Sequence, residues 1–246
     1  MTSLSVVVPA YNEEKRLPAT LARIIEWLRS RQLSFNELVI VDDGSSDGTA
    51  ALVKQFSREH GCVRLLQNPG NRGKGFSVRN GMLGSRGEWI LYTDADLSTP
   101  IEECDRLFAA AQNGNAKIAI GSRAVDRSLV TVHQPLLREY SGRCFNLAMR
   151  LLTSLPFSDT QCGFKLFESG AARAVFKRQL LDGFSFDVED LFIARRCGIP
   201  AIEVPVQWAN VEGSKVRLLS GVKSFGDLLA IRRNGFTGKY NCKGFV

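Results

Sequence analysis

Two aspartates, Asp94 and Asp96, stand two residues apart after Trp89-Ile90-Leu91-Tyr92-Thr93, five strand-forming and mostly apolar residues. Residues two apart on an extended backbone point to the same face. Both carboxylates therefore aim together from the C-terminal end of a buried strand. Their mutual repulsion calls for a cation, and a hard divalent ion that also holds a diphosphate suits such oxygen donors. The same residues could equally form an acidic turn that caps a helix starting near Pro100. A second cluster is Asn68-Pro69-Gly70-Asn71-Arg72-Gly73-Lys74-Gly75. Glycines around a lysine just ahead of a helix can bring backbone N–H groups and an ammonium against an anion. The spacing is not that of a Walker A loop, and plain loop flexibility would use the same glycines. A third is Phe186-Asp187-Val188-Glu189-Asp190. Carboxylates at a helix start favour the helix dipole whether or not they take part in chemistry.

The elements that must position these groups alternate. Residues 4–9 form an apolar, β-branched strand, followed by a helix with Leu17, Leu21, Ile24, Ile25 and Leu28 on one stripe. Strand 37–41 runs into Asp42-Asp43-Gly44-Ser45-Ser46-Asp47-Gly48, where Ser46 or Asp47 can cap the next helix. Strand 63–66, the strand ending at Asp94, helix 101–112 and strand 117–120 complete a β-α-β-α-β-α-β-α-β order. That order predicts an α/β fold with a mostly parallel sheet, helices on both faces, and loops gathered at the strand C-terminal ends. Tyr11/Glu13, Asp42/Asp43, Lys74 and Asp94/Asp96 would converge there. The G-x-G-x-x-G of a dinucleotide-binding dehydrogenase is absent after the first strand.

The second half is less regular. A helix is expected over 135–155, with Phe145, Leu147, Met149, Leu151 and Leu152 beside Arg138, Arg143 and Arg150. It reads either as a core helix or as one lying in a membrane interface. A turn and strand cover 159–167, and a further strand 202–208. Residues 207–246 carry seven basic side chains against two acidic ones, a bias that suits solvent or anionic headgroups.

The chain has 246 residues, 44% hydrophobic and 23% charged, as in ordinary globular proteins. Its net charge of +7 suits anionic partners without choosing among them. No nucleic-acid motif is recognisable. Six cysteines without C-x-x-C spacing and only two histidines predict neither a zinc site nor a disulfide scaffold, and fit a reducing compartment. Neither a signal peptide nor a membrane span is expected.

The segments VVVPAYNEEKRLP, VDDGSSDGT, NRGKG, DADLSTP, GSRA, DTQCGFKLF, FDVEDLF and EGSK occur in the order found in family 2 glycosyltransferases of the GT-A fold. The chain most resembles the dolichyl-phosphate β-glucosyltransferases over nearly its whole length. The resemblance implies one GT-A domain over 1–246, with a nucleotide-sugar half at 1–123 and an acceptor half at 124–246. It implies glucose transfer from UDP-glucose to a polyprenyl phosphate, with inversion and with Mg²⁺ or Mn²⁺ as cofactor. GDP-mannose, another nucleotide-sugar or a non-lipid acceptor would fit the same fold. Pro9, Tyr11, Glu13 and Asp42 would hold base and ribose, and Lys74 would lie near the nucleotide-sugar. Asp94 and Asp96 would hold the metal, with Asp96 the more direct ligand. Arg123, Gln161, Lys165, Ser214 and Lys215 would face phosphates or sugar. Glu189 and Asp190 fall where many relatives place a base. Eukaryotic members carry an N-terminal anchor that this sequence does not show, and Ser98 stands where related mannosyltransferases have glutamine. The expected location is cytoplasmic and peripheral, on an anionic membrane surface or a membrane partner protein, with no role for nucleic acid.

Overall fold

The computed structural model describes residues 3–132, 149–211 and 220–242, with the side chains of 220–224 outside that description. The chain begins with strand β1 (Ser3–Ala10), helix α1 (Leu17–Arg29), β2 (Phe35–Asp42), α2 (Thr49–Glu59), β3 (Val63–Gln67) and α3 (Lys74–Gly84). Then come β4 (Trp89–Thr93), α4 (Glu103–Asn113) and β5 (Ile118–Ser122). The predicted alternation is therefore present. The later elements are β6 (Val130–Val132), β7 (Phe164–Glu168), α5 (Ser169–Phe176), α6 (Phe186–Arg196), β8 (Ala201–Pro205), β9 (Trp208–Ala209) and α7 (Ser220–Phe236).

Seven strands form the main sheet in the order β3-β2-β1-β4-β7-β5-β8. All neighbours are parallel except β7, which runs antiparallel to both β4 and β5. The chain moves outward from β1 to β3 and then returns to the other side of β1 at β4. That reversal opens a crevice at the carboxyl ends of β1 and β4, where open α/β sheets bind ligands.

Parallel strands covered on both faces are apolar on both. Accordingly Val6, Val7 and Val8 are all fully buried. Val7, Val39, Val41 and Ile90 face a core shared with Val78 and Met82 of α3 and Val188 and Leu191 of α6. Val6, Val8, Leu38 and Ile40 face the opposite core, with Leu21 and Ile24 of α1 and Leu107 of α4.

Three expectations need adjusting. The strand read as 202–208 is two strands. β8 ends at Pro205, and β9 pairs with β6 in a separate two-stranded sheet. Of helix 135–155, residues 149–153 are helical and Ser154 takes a positive φ of 57°, which ends the helix; 133–148 lie outside the described residues. Cys197 and Cys242 form a disulfide, with their Cα atoms 5.2 Å apart. Local cysteine spacing cannot report a pair 45 residues apart in sequence that folding brings together.

Candidate active site

The loops after β1 and β2 are laced by hydrogen bonds. Asn12 adopts φ 54°. Its N–H donates to Ser45 Oγ at 2.9 Å, and its Oδ1 accepts from Ser46 N at 2.8 Å. Glu13 N donates to Thr49 Oγ1 at 2.8 Å, and Glu14 Oε2 accepts from Gly48 N at 2.6 Å. Pro9 lies one residue before the end of β1, paired with Val41, and Tyr11 stands exposed on the rim. Asp42 is buried at the end of β2, accepting from Ser45 N at 3.2 Å.

Asp43 does what sequence reading did not foresee. Its two oxygens accept from Arg72 N, Gly73 N and the Asn68 side-chain amide, at 2.8–3.0 Å. One carboxylate thus shapes the glycine loop ahead of Lys74. Gly44 lets the two loops meet: at φ 71°, an added Cβ would sit 2.5 Å from the Gly70 carbonyl carbon.

Lys74 opens α3 and places its Nζ 2.7 Å from Asp94 Oδ1. Burial alone would lower the ammonium's pKa, but Asp94, Asp187 and Asp96 together outweigh it and hold the pKa above its ordinary value. Asp94 rests against the backbone of Gly163. A Cβ there would lie 2.2–2.8 Å from the Asp94 carboxyl atoms. Asp96 Oδ1 accepts from Ser98 N at 2.9 Å, and Asp96 Oδ2 lies 4.0 Å from Arg16. Between Asp96 and Ser98, Leu97 takes φ 47°, a left-handed conformation uncommon for a bulky non-glycine residue. The Asp94 and Asp96 side chains keep 36% and 20% of their area exposed, so the pair faces the crevice rather than the core.

These two carboxylates fit Mg²⁺ or Mn²⁺ in a particular way. Among the described residues no group of three or more His, Cys, Asp or Glu side chains could form a cage. A site supplied by one or two carboxylates, completed by ligand phosphates and water, is the usual arrangement for Mg²⁺.

The second acidic cluster is different. Lys165, expected to face phosphate or sugar, is fully buried. Its Nζ donates to Tyr92 Oη at 2.7 Å, to the Cys162 carbonyl at 2.8 Å and to Asp187 Oδ1, which uses all three ammonium protons. The Tyr92 hydroxyl donates to the same Asp187 oxygen. A buried ammonium needs a counter-charge, and strand β7 turns Lys165 inward to meet Asp187. Sequence reading did not single out Tyr92 and Asp187 as the partners of Lys165. The available signal was a tyrosine near the end of a buried strand, since a buried phenol needs a partner.

Glu189 and Asp190 are also buried. Neighbours on a helix point about 100° apart, so the two diverge. Glu189 accepts from Leu180 N, Leu181 N and Tyr240 Oη at 2.5–3.1 Å. Asp190 shares a face with Asp187, three residues before it. Neither of its oxygens has a hydrogen-bond partner among the described residues. Burial first, then the charges of Glu189 and Asp187, push its pKa well up, favouring the protonated form. Neither carboxylate is open to solvent in this structure. FDVED reads as one acidic run, but the helix divides it among three surroundings.

Arg123 follows β5 and forms a forked pair with buried Asp159, Nε to Oδ2 at 2.6 Å and Nη2 to Oδ1 at 2.8 Å. Burial would raise the Asp159 pKa, yet Arg123 holds it below the usual carboxylate range. The guanidinium also lies over the Trp208 ring and keeps 29% of its side-chain area exposed. Gln161 is half-buried on the same turn. Ser214 and Lys215 lie outside the described residues.

The family model "Glycosyl transferase family 2" matches residues 5–176. A dolichyl-phosphate β-glucosyltransferase of Trichomonas vaginalis is 36% identical over 236 residues, covering 93% of this chain and 72% of that protein. The Homo sapiens dolichyl-phosphate β-glucosyltransferase is 37% identical, covering 96% and 77%. The fold is shared with mannosyl-3-phosphoglycerate synthase from Rubrobacter xylanophilus (TM-score 0.69, 15% identity, 97% of this chain and 75% of that one). It is shared also with Mycobacterium tuberculosis glucosyl-3-phosphoglycerate synthase crystallised with Mn²⁺, UDP and phosphoglyceric acid (TM-score 0.63, 16% identity, 98% and 79%). With its parallel sheet, its crevice and its paired aspartates at the end of β4, this chain belongs to the family 2 glycosyltransferases of GT-A fold and is a glycosyltransferase of the dolichyl-phosphate β-glucosyltransferase kind.

Proposed function

We propose that this chain is a metal-dependent, inverting transferase that moves glucose from UDP-glucose to a polyprenyl phosphate of the dolichyl type. The observation that carries this reading is the partly exposed pair Asp94/Asp96 beside Lys74, at the point where the strand order reverses. Pro9, Tyr11, Glu13 and Asp42, on the laced loops after β1 and β2, hold the nucleoside. Lys74 faces the donor diphosphate from the start of α3, whose N-terminus adds its own attraction for an anion. A divalent ion held by Asp94, Asp96 and that diphosphate would neutralise charge developing on the leaving nucleotide. Arg123 and Gln161, with Ser214 and Lys215, serve the acceptor phosphate. That phosphate is already an anion at neutral pH, so these residues need to orient it rather than remove a proton. Displacement from the opposite face then gives a β-linked product from an α-linked donor.

A lipid acceptor requires contact with a membrane. No helix among the described residues is long and apolar enough to cross one. Leu151, Leu229 and Phe236 are 59–77% exposed, next to the basic residues Arg150, Arg232 and Arg233. Apolar side chains beside arginine are the composition of interfacial helices, which suits a peripheral contact with a membrane.

The test is incubation with a panel of nucleotide-sugars and polyprenyl phosphates, with and without EDTA, followed by mass spectrometry. The expected product is a polyprenyl-phosphate hexose from UDP-glucose alone, lost in EDTA. Turnover of GDP-mannose or of a non-lipid acceptor in its place overturns the donor or acceptor assignment. Sedimentation with anionic vesicles should weaken as salt rises, because the attraction of basic residues is screened.

A further inference from the structure

Gly73, Lys74 and Gly75 do not hold their conformation alone. The Gly75 and Phe76 amides both donate to the Asp182 carbonyl, at 2.8 and 3.3 Å. The Gln179 side-chain amide donates to the Gly75 carbonyl at 3.0 Å. Arg79, one turn further along α3, reaches the Gln179 carbonyl at 3.2 Å and the Asp182 carboxylate at 2.8 Å. The approach is tight enough to require glycine. A Cβ at Gly73 would lie 2.4 Å from the Asp182 oxygen, and one at Gly75 2.7 Å from the Leu181 oxygen. The backbone that aims Lys74 at Asp94 is thus seated on segment 179–182.

That segment is held from its other side by one carboxylate. Glu189 accepts from Leu181 N at 2.8 Å and from Leu180 N at 3.1 Å. The same carboxylate accepts from the Tyr240 hydroxyl at 2.5 Å. Tyr240 comes from the C-terminal tail, packs edge-on against Phe192 of α6, and is buried. Two residues later Cys242 is bonded to Cys197 at the end of α6.

We propose that Glu189 and Tyr240 are positioning residues of the donor site. Together they form a latch from the C-terminal tail that fixes segment 179–182 and, through the Asp182 carbonyl, sets Lys74 against Asp94. Buried carboxylates that accept several backbone N–H groups act as fixed joints, since releasing them leaves buried donors unpaired. The role depends on the proposed donor site only in that Lys74 serves it.

The test compares Tyr240→Phe and Glu189→Gln with the parent chain. Glutamine can keep only one oxygen for the two backbone N–H groups and turns its N–H₂ toward the Tyr240 hydroxyl, which must then accept instead of donate; phenylalanine removes that hydroxyl. In the nucleotide-free protein, hydrogen exchange across 73–77 should quicken about fivefold, the effect of one lost hydrogen bond. Exchange in α4 should not change. Affinity for UDP with Mn²⁺ should fall by a similar factor. For whichever donor is turned over, KM should rise more than kcat falls, and the pH profile should keep its shape. Two results overturn the proposal. One is unchanged exchange at 73–77 in both variants. The other is a collapse of kcat in Glu189→Gln with a limb of the pH profile lost and UDP affinity intact, which would make Glu189 a base. If Glu189→Gln does not fold, Tyr240→Phe decides. The exchange measurement needs no substrate, so it still rules on the latch if the parent fails to bind UDP and the donor assignment falls.

Discussion

The two acidic clusters look alike in sequence, D-A-D at 94–96 and D-V-E-D at 187–190, yet the fold puts them to opposite uses. The first sits where β4 ends at the crevice, with both side chains partly open to solvent and Lys74 alongside. The second opens α6 against the sheet, and Asp187, Glu189 and Asp190 are all buried. Charge left at the crevice rim can be spent on a ligand. Charge taken inside must be neutralised there, by Lys165 and Tyr92 for Asp187 and by three donors for Glu189. Mutations should therefore separate the clusters, activity being lost at one and stability at the other.

The largest separation is expected at Asp96. Asp96→Asn should cut turnover on the order of 10³-fold, since it removes charge that balances several kcal/mol of transition-state stabilisation. Its melting temperature should stay close to the parent's. A matching loss of stability would mean the rim pair is structural after all. Asp187→Ala should do the reverse. It strands the Lys165 ammonium in the core, and a buried pair broken from one side costs about 3–5 kcal/mol. Urea unfolding measures this, and a cost under about 1 kcal/mol, the range of surface pairs, would refute the buried reading.

Gly163→Ala probes the border between the two. The added methyl must displace the Asp94 carboxylate, and a misplacement of about 1 Å can cost on the order of 10²-fold in rate. Steady-state kinetics should show that loss with little change in folding, and normal kinetics would mean that Asp94 is free to move.

The smallest effect is expected at Asp190. Its pKa is raised in the folded chain, whereas the unfolded carboxyl ionises near pH 4. The native state thus binds the extra proton, and stability falls as pH rises from about 4 toward the folded value. Asp190→Asn removes that dependence. The variant should match the parent at pH 4 and melt about 2–4 °C higher at pH 8, the shift that 1 kcal/mol gives a chain of this size. Equal melting differences at both pH values would show that Asp190 does not titrate in this window.

Much of the first half was legible because its signals are local. Valine-rich strands, the stripe on α1 and the D-x-D spacing each depend on residues within a turn or two of each other. Parallel order follows from the alternation itself. The tail, the disulfide and the antiparallel β7 were not legible, because they join segments far apart in sequence. Lys165 shows the limit most sharply. Its place in DTQCGFKLF marks the family, but its side chain points into the core, where it meets Tyr92 and Asp187 from two other elements.

By itself the sequence determined which residue types lie at the ends of which strands, and with them a carboxylate pair and a lysine loop in the same crevice. Periodicity is enough for that, since it places side chains on faces before any long-range contact forms. Tertiary structure alone decided which charges remain at the surface. Asp94 stays at the rim because Gly163 leaves it room. Glu189 goes inside because two loop amides and a tyrosine 51 residues away are there to receive it. Ionised groups are stable in a protein interior only where partners converge, and convergence is a property of the folded chain.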